Sequence, residues 1–385
     1  MRRIGLAIVS IATALALAAC GGTGAGGGAA TSTSTATQAA ADTLVGVAMP
    51  TQTSERWIAD GKAVKEGLEK AGYKVDLQFA NDDIPTQTQQ IDAMITAGAK
   101  LLIVAAIDGT ALTSQLESAA SKGIKVISYD RLIRDSANVD FYVSFDNYKV
   151  GVAQATALLY GLGATDRDGK PTGKAAKGTN LELFAGSLDD NNAHFFWSGA
   201  MDTLKPFMDD GTLVVKSKQT TIEQAATLRW LQETAQKRME DLLTSTYGGK
   251  GTGLKGVLSP YDGISRGIIT ALQGVGMGPT MEKGLPVVTG QDAEIASVKL
   301  IADGVQQSTI FKDTRKLAAQ AVTAAQAFLA GKTPEANNTK DYDNGKKVVP
   351  SYLLEVDTVY ADNIQSLLID SGYWTAEEVK SGVAK

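Results

Sequence analysis

From residue 44 onward, short apolar runs alternate with longer stretches in which apolar positions recur every three or four residues. Leu44–Met49 predicts a strand, and Trp57, Ile58, Val64, Leu68 and Ala71 then return at helical spacing until Gly72. Lys74–Phe79, Leu101–Ala106 and Val126–Tyr129 read as further strands. Between them lie a helix through Ile91, Met94 and Ile95 that closes near Gly98, and another through Leu112, Leu116 and Ala119 that closes at Gly123. Strands that are apolar throughout have no wet face, so helices must cover both sides of the sheet they form. The expected fold is α/β, doubly wound on parallel sheets.

A second series begins after Phe145-Asp146-Asn147 with a helix through Val150–Tyr160 and a polar insertion rich in Gly and Lys. Strands are expected at Leu181–Phe184, Leu213–Lys216, Gly256–Leu258 and Pro286–Thr289, with helices near Met201, Met239, Ile268 and Val298. A helix Thr314–Leu329, stopped by Gly331 and Pro334, and a late strand around Tyr352–Glu355 fall outside this alternation. The chain of 385 residues suits two domains of about 100–200 residues each.

The N-terminus follows neither pattern. Arg2 and Arg3 precede an apolar run from Ile4 to Leu17, short for a bilayer span, and small residues and a cysteine follow. Residues 1–19 are read as a secretion signal. Leu17-Ala18-Ala19-Cys20 resembles a bacterial lipobox, which implies diacylglyceryl modification of Cys20 and anchoring on the outer face of the cytoplasmic membrane. Residues 20–43, nearly all Gly, Ala, Ser and Thr up to Asp42, read as a flexible tether.

Composition narrows the chemistry. Lys plus Arg number 37 against 42 for Asp plus Glu, with no basic run to neutralise phosphates, so nucleic acid is not an expected partner. The single cysteine, Cys20, and single histidine, His194, leave no Cys/His zinc site and no cysteine-histidine catalysis in the mature domains. No Walker loop is present, and no Gly-x-Gly-x-x-Gly opens a helix after a strand. Asp166-Arg167-Asp168-Gly169 and Asp341-Tyr342-Asp343-Asn344-Gly345 lack the full ligand series of a calcium loop and are read as turns. Neither metal nor cofactor is expected.

In open parallel sheets ligands sit beyond the carboxyl ends of the strands. Those ends carry Ser54-Glu55-Arg56-Trp57, Asp108, Asp130-Arg131, Asp189-Asp190-Asn191-Asn192, Tyr261-Asp262 and Gln291-Asp292. Planar groups with paired donors or acceptors match the vicinal hydroxyls of a sugar, and an indole face suits its C–H patches. The expected ligand is a neutral polyol.

With these residues assembled, the chain from about Val45 to about Tyr373 resembles the bacterial periplasmic binding proteins for monosaccharides, in particular xylose-binding and multiple-sugar-binding receptors of ABC importers. The resemblance rests on Ser54-Glu55-Arg56-Trp57, Ser128-Tyr129-Asp130-Arg131-Leu132-Ile133, Ser144-Phe145-Asp146-Asn147, Gly186-Ser187-Leu188-Asp189-Asp190-Asn191-Asn192-Ala193, Gly290-Gln291-Asp292-Ala293-Glu294, Phe311-Lys312 and Val349-Pro350-Ser351. It implies two lobes, 44–146 plus 313–347 and 147–312 plus 348–385, joined by three crossings near Asn147, Lys312 and Val348. It implies ligand contacts from Arg56, Trp57, Asp130, Arg131, Asn192, Trp230, Asp292 and Lys312, to which the strand ends add Tyr261 and Asp262. At Tyr261 the xylose-binding relatives carry asparagine, which bears on sugar preference, and His194 is placed at most on the rim. The implied activity is capture, without turnover, of an aldopyranose such as xylose, glucose or galactose by a monomer that delivers it to an ABC permease.

Three other functions compete. A glycoside hydrolase needs two carboxylates, one with a raised pKa; Asp130 and Asp292 are the candidates, and neighbouring cations oppose that role. A sugar-responsive transcription factor conflicts with the export signal. A sensor role, presenting bound sugar to a membrane receptor, is compatible with the leading reading.

Overall fold

The computed structural model describes residues 41–385. The expected signal, most of the tether and Cys20 lie outside the described residues.

Six strands form an all-parallel sheet: β1 (Leu44–Met49), β2 (Lys74–Phe79), β3 (Leu101–Val104), β4 (Lys125–Tyr129), β5 (Phe141–Phe145) and, far along the chain, β11 (Ser351–Leu354). Their spatial order is β11-β5-β4-β3-β1-β2. Helices Glu55–Lys70 and Thr314–Leu329 cover one face, where Trp57, Val64 and Leu68 meet Leu317, Ala321 and Ala324. Helices Ile84–Thr96 and Thr113–Ser121 cover the other through Ile91, Met94 and Leu116. A second sheet, ordered β7-β6-β8-β9, contains β6 (Thr179–Leu183), β7 (Leu213–Val215), β8 (Leu254–Leu258) and β9 (Val287–Val288). It lies between helices Asn147–Gly161 and Asn191–Asp209 on one side and Gln232–Tyr247 and Asp262–Gly274 on the other. The α/β, doubly wound expectation is met. Each sheet changes direction of winding beside its first strand, and ligands of such sheets bind outside that switch point.

The chain passes between the two lobes at Asp146-Asn147, at Lys312-Asp313 after β10 (Thr309–Phe311), and again after β11. β10 pairs antiparallel with β12 (Asp357–Val359), forming a two-stranded ribbon beside the crossings. The third crossing differs from the expectation. Ser351–Leu354 pairs in parallel with Tyr142–Phe145, so this segment belongs to the first lobe's sheet, and the crossing moves from near Val348 to Glu355-Val356. β11 sits at the sheet edge with one neighbour, and beyond the buried Ser351 its side chains are half buried.

Candidate functional site

The carboxyl ends of both sheets face each other across a cavity of about 300 Å³. β1 leads through Pro50–Ser54 into a helix whose first turn presents Arg56 and Trp57, and β4 ends at Asp130 and Arg131. From the second lobe come Asn192 at a helix start, Trp230 in a short 3₁₀ turn, Tyr261 after β8 and Asp292 after β9. Lys312 arrives from the crossing that follows β10. Nine of the ten residues expected from sequence therefore line one cavity. His194 is exposed, with its imidazole Nε2 3.1 Å from the Leu188 carbonyl, and lies outside the lining.

Asp262 is the tenth, and it does not line the cavity. It is fully buried and accepts hydrogen bonds from the Glu294 amide (2.9 Å), Thr309 Oγ1 (3.0 Å) and Gln306 Nε2 (2.9 Å). The expected sugar contact is replaced by internal donors. Tyr261 is the extended N-cap and Asp262 the first residue of the helix Asp262–Gly274, and this change of backbone turns Tyr261 to the cleft and Asp262 inward.

Arg56 organises the centre. Its Nε lies 3.0 Å from Asp60, its Nη2 2.8 Å from Asp130 and its Nη1 3.5 Å from Asp292. Lys312 Nζ stands 3.1 Å from Asp292 and 3.8 Å from Asp130. Burial works to raise the Asp130 pKa, but Arg56, Lys312 and Arg131 together outweigh it and hold the carboxyl below its ordinary range. Behind Arg56, Asp60 also accepts a short hydrogen bond from Tyr129 Oη. Around the cavity, Arg56, Arg131, Arg229, Arg266 and Lys312 stand against Asp82, Asp130, Asp190, Glu233 and Asp292, so the charges cancel. A ligand without net charge needs no counter-ion there.

Aromatic rings make the opposite wall. Trp230 meets Phe196 and Tyr261 edge to face, with centroids 6.2 Å away in both cases. The Arg131 guanidinium carbon lies 5.1 Å from the Trp57 ring centroid, while its Nε is 3.0 Å from Asp190 of the second lobe. Tyr261 Oη is not free: it donates to Glu294 Oε1 (2.6 Å), which also accepts from Ser54 Oγ of the first lobe (2.9 Å), and Arg266 holds the other Glu294 oxygen at 2.7 Å.

Five lining residues, Asp82 (φ 61), Asp130 (φ 59), Arg229 (φ 55), Trp230 (φ 59) and Asp292 (φ 90), adopt left-handed backbone that non-glycine residues rarely take. Such strain costs on the order of 1–3 kcal/mol each and persists only where surroundings enforce it. At Asp130 the enforcement is visible. Its carbonyl accepts from Tyr142 Oη (2.6 Å), Ser144 Oγ (2.8 Å) and Asn192 Nδ2 (2.9 Å). Asn192 Oδ1 in turn accepts from Asn147 Nδ2 at 2.9 Å, so this amide ties the lobes together as well as lining the cavity.

Sequence reasoning left out several lining residues. Phe196 and Arg229 carry no motif of their own, although Arg229 adjoins Trp230. Arg266 was findable as the residue one helical turn after Asp262. Glu294, the last residue of the Gly-Gln-Asp string, is not in the lining but anchors Tyr261 and Arg266.

Residues 45–333 match the periplasmic binding protein domain family. The chain is 52% identical over 342 residues to the multiple sugar-binding periplasmic receptor ChvE of Rhizobium radiobacter, covering 89% of this chain and 94% of the relative. It is 36% identical to the D-xylose-binding periplasmic protein of Escherichia coli, covering 88% and 93%. Among solved structures, an ABC transporter solute binding protein from Clostridium phytofermentans with bound β-D-glucose superimposes with a TM-score of 0.81 at 47% identity, covering 88% of this chain and 100% of the other. A carbohydrate transporter solute binding protein from Chloroflexus aurantiacus in complex with D-glucose gives a TM-score of 0.75 at 38% identity, covering 87% and 97%. The chain belongs to the periplasmic binding protein family.

Proposed function

We propose that this protein captures a monosaccharide of the xylose, glucose or galactose class between its two lobes and delivers it, unaltered, to an ABC permease. The observation that carries the reading is the charge-balanced cavity, in which fork-shaped and carboxylate groups converge opposite an aromatic wall. Arg and Asp side chains match paired hydroxyls, and indole faces match sugar C–H patches. Relatives named for xylose and for multiple sugars, and neighbours holding D-glucose, support the ligand class. The lipobox-like Leu17-Ala18-Ala19-Cys20 supports a lipid anchor on the extracytoplasmic face of the membrane, with residues up to about 43 as its tether. Hydrolysis fits less well, because a general acid must hold a proton that the cations around Asp130 disfavour.

The test is a thermal-shift and calorimetric panel of pentoses and hexoses. A cognate sugar at 100 times its Kd adds about 2.7 kcal/mol of stability. Failure of every monosaccharide to bind, or appearance of product from an aryl glycoside, overturns the reading.

A further inference from the structure

Asp262 lies outside the cavity lining, yet its carboxyl accepts three buried hydrogen bonds in the second lobe. Between β9 and the following helix, the segment Gly290–Glu294 carries two consecutive left-handed residues, Asp292 (φ 90) and Ala293 (φ 49). Only an isolated parallel bridge, Gln291 to Ile310, gives this segment regular pairing. Its amides are taken one by one: Asp292 N donates to the Ile310 carbonyl (2.9 Å), Ala293 N to Thr309 Oγ1 (3.0 Å) and Glu294 N to Asp262 Oδ2 (2.9 Å). Thr309 Oγ1 passes its own proton to the same Asp262 oxygen at 3.0 Å. One hydroxyl thus accepts from the segment and donates its only proton to Asp262, which links the two. The main chain is pressed close. A Cβ on Gly290 would lie 2.1 Å from Asp262 Oδ1, so only glycine permits this approach.

Thr309 opens β10, the strand that leads through Ile310, the bridge partner of Gln291, to Lys312. Asp292 and Lys312 are the two groups that face each other at 3.1 Å on the floor of the cavity. We propose that Asp262 and Thr309 are a positioning pair which fixes Asp292 against Lys312, and through them the sugar-binding floor, without touching the ligand. The proposal rests on the sugar-binding reading above. A side chain placed about 1 Å out of position loses charge-assisted hydrogen bonds whose worth depends on alignment.

The experiment compares Thr309→Val, which matches the shape but removes the hydroxyl, with Thr309→Ser, which keeps it. Calorimetry with D-glucose and D-xylose measures affinity, and hydrogen exchange of the sugar-free protein measures protection of Ala293 and Glu294. Thr309→Val is expected to bind at least about tenfold more weakly and to lose protection at these two amides. Thr309→Ser is expected to recover most of both. A merely structural role would lower the melting temperature of Thr309→Val with Kd unchanged, and that result overturns the proposal. Equal losses in the Val and Ser variants also overturn it, since the hydroxyl would then not be the cause. If Thr309→Val does not fold, Asp262→Ala decides: it removes the oxygen that accepts from both Thr309 and the Glu294 amide, so wild-type affinity in this variant refutes the pair. A wild-type chain that binds neither these sugars nor any other of the panel fails the functional reading itself, and this proposal with it.

Discussion

Arg56 Nη1 of the first lobe and Asp292 Oδ1 of the second stand 3.5 Å apart, so one buried guanidinium reaches across the cleft. The remaining nitrogens of Arg56 are committed to Asp60 and Asp130 within its own lobe. The first lobe therefore arrives with the bridging group already aimed.

Removing that group leaves buried carboxylates unmatched. Arg56→Ala is expected to lower folding stability by about 3–5 kcal/mol and to abolish measurable sugar binding. Arg56→Lys keeps the charge but offers no planar fork, so it should remain folded and bind at least about tenfold more weakly. Thermal melting and calorimetry on both variants check this; a lysine variant with unchanged Kd removes Arg56 from the site.

Arg131 and Trp57 separate affinity from stability. Arg131→Ala removes a charge-assisted group at the cleft and should cost about 1.5–3 kcal/mol of binding. Trp57→Ala should cost less binding, about 0.5–1.5 kcal/mol, since an aromatic face contributes that much. Trp57 is also 4% exposed in the first lobe's core, so its loss should lower stability by about 3–5 kcal/mol. The reverse ranking in either measurement contradicts these assignments.

Asp60 gives a pH signature. Burial raises its pKa from 3.8 to about 6, against the opposing pull of Arg56 and Tyr129. Between those values the unfolded chain has released this proton while the folded protein retains it, so stability falls as pH rises through the window and levels off above it. Asp60→Asn cannot titrate. The stability of wild type minus that of Asp60→Asn should shrink between about pH 4 and about pH 6.5, by on the order of a few kcal/mol. A flat difference would refute the raised value.

Much of this arrangement was legible in the chain. A buried parallel strand such as Leu44–Met49 is written as an unbroken apolar run and the half-buried edge strand Lys74–Phe79 as an alternation of polar and apolar residues, so both could be bounded to the residue. The two-stranded ribbon was not legible. β10 and β12 have three residues each, and their pairing depends on chain segments that meet only after both lobes have formed. At the site, strand-end position located the cavity but not side-chain direction. Tyr261 and Asp262 have equal claims in the sequence, and only the packing of Gly290, Gln306 and Thr309 around Asp262 distinguishes them.

Lobe closure is the next expectation. Ser54 donates to Glu294 across the cleft, and Glu55 Oε2 accepts from the Ile295 amide at 3.4 Å, contacts that an open form lacks. Sugar that touches both lobes favours the form in which both touch it. Small-angle scattering should give a smaller radius of gyration with saturating sugar than without. Equal radii in a sample shown to bind would mean that the free protein is already closed.

For the anchor, Cys20→Ser should release the protein from the membrane fraction or block its processing. Retention of a correctly processed serine variant on membranes would refute the lipobox assignment.

The late return of β11 bears on how the chain is made. A nascent polypeptide emerges from its N-terminus, and the first five strands of the larger sheet are complete by Phe145. The helix Thr314–Leu329 that roofs them and the strand Ser351–Leu354 that closes their edge emerge only near the end of synthesis. Until then β5 offers an open, apolar hydrogen-bonding edge, a template for wrong partners. Truncations that remove Ser351–Leu354 should for this reason aggregate rather than yield a lone, soluble N-terminal half, so the edge of the first sheet waits for the last tenth of the chain.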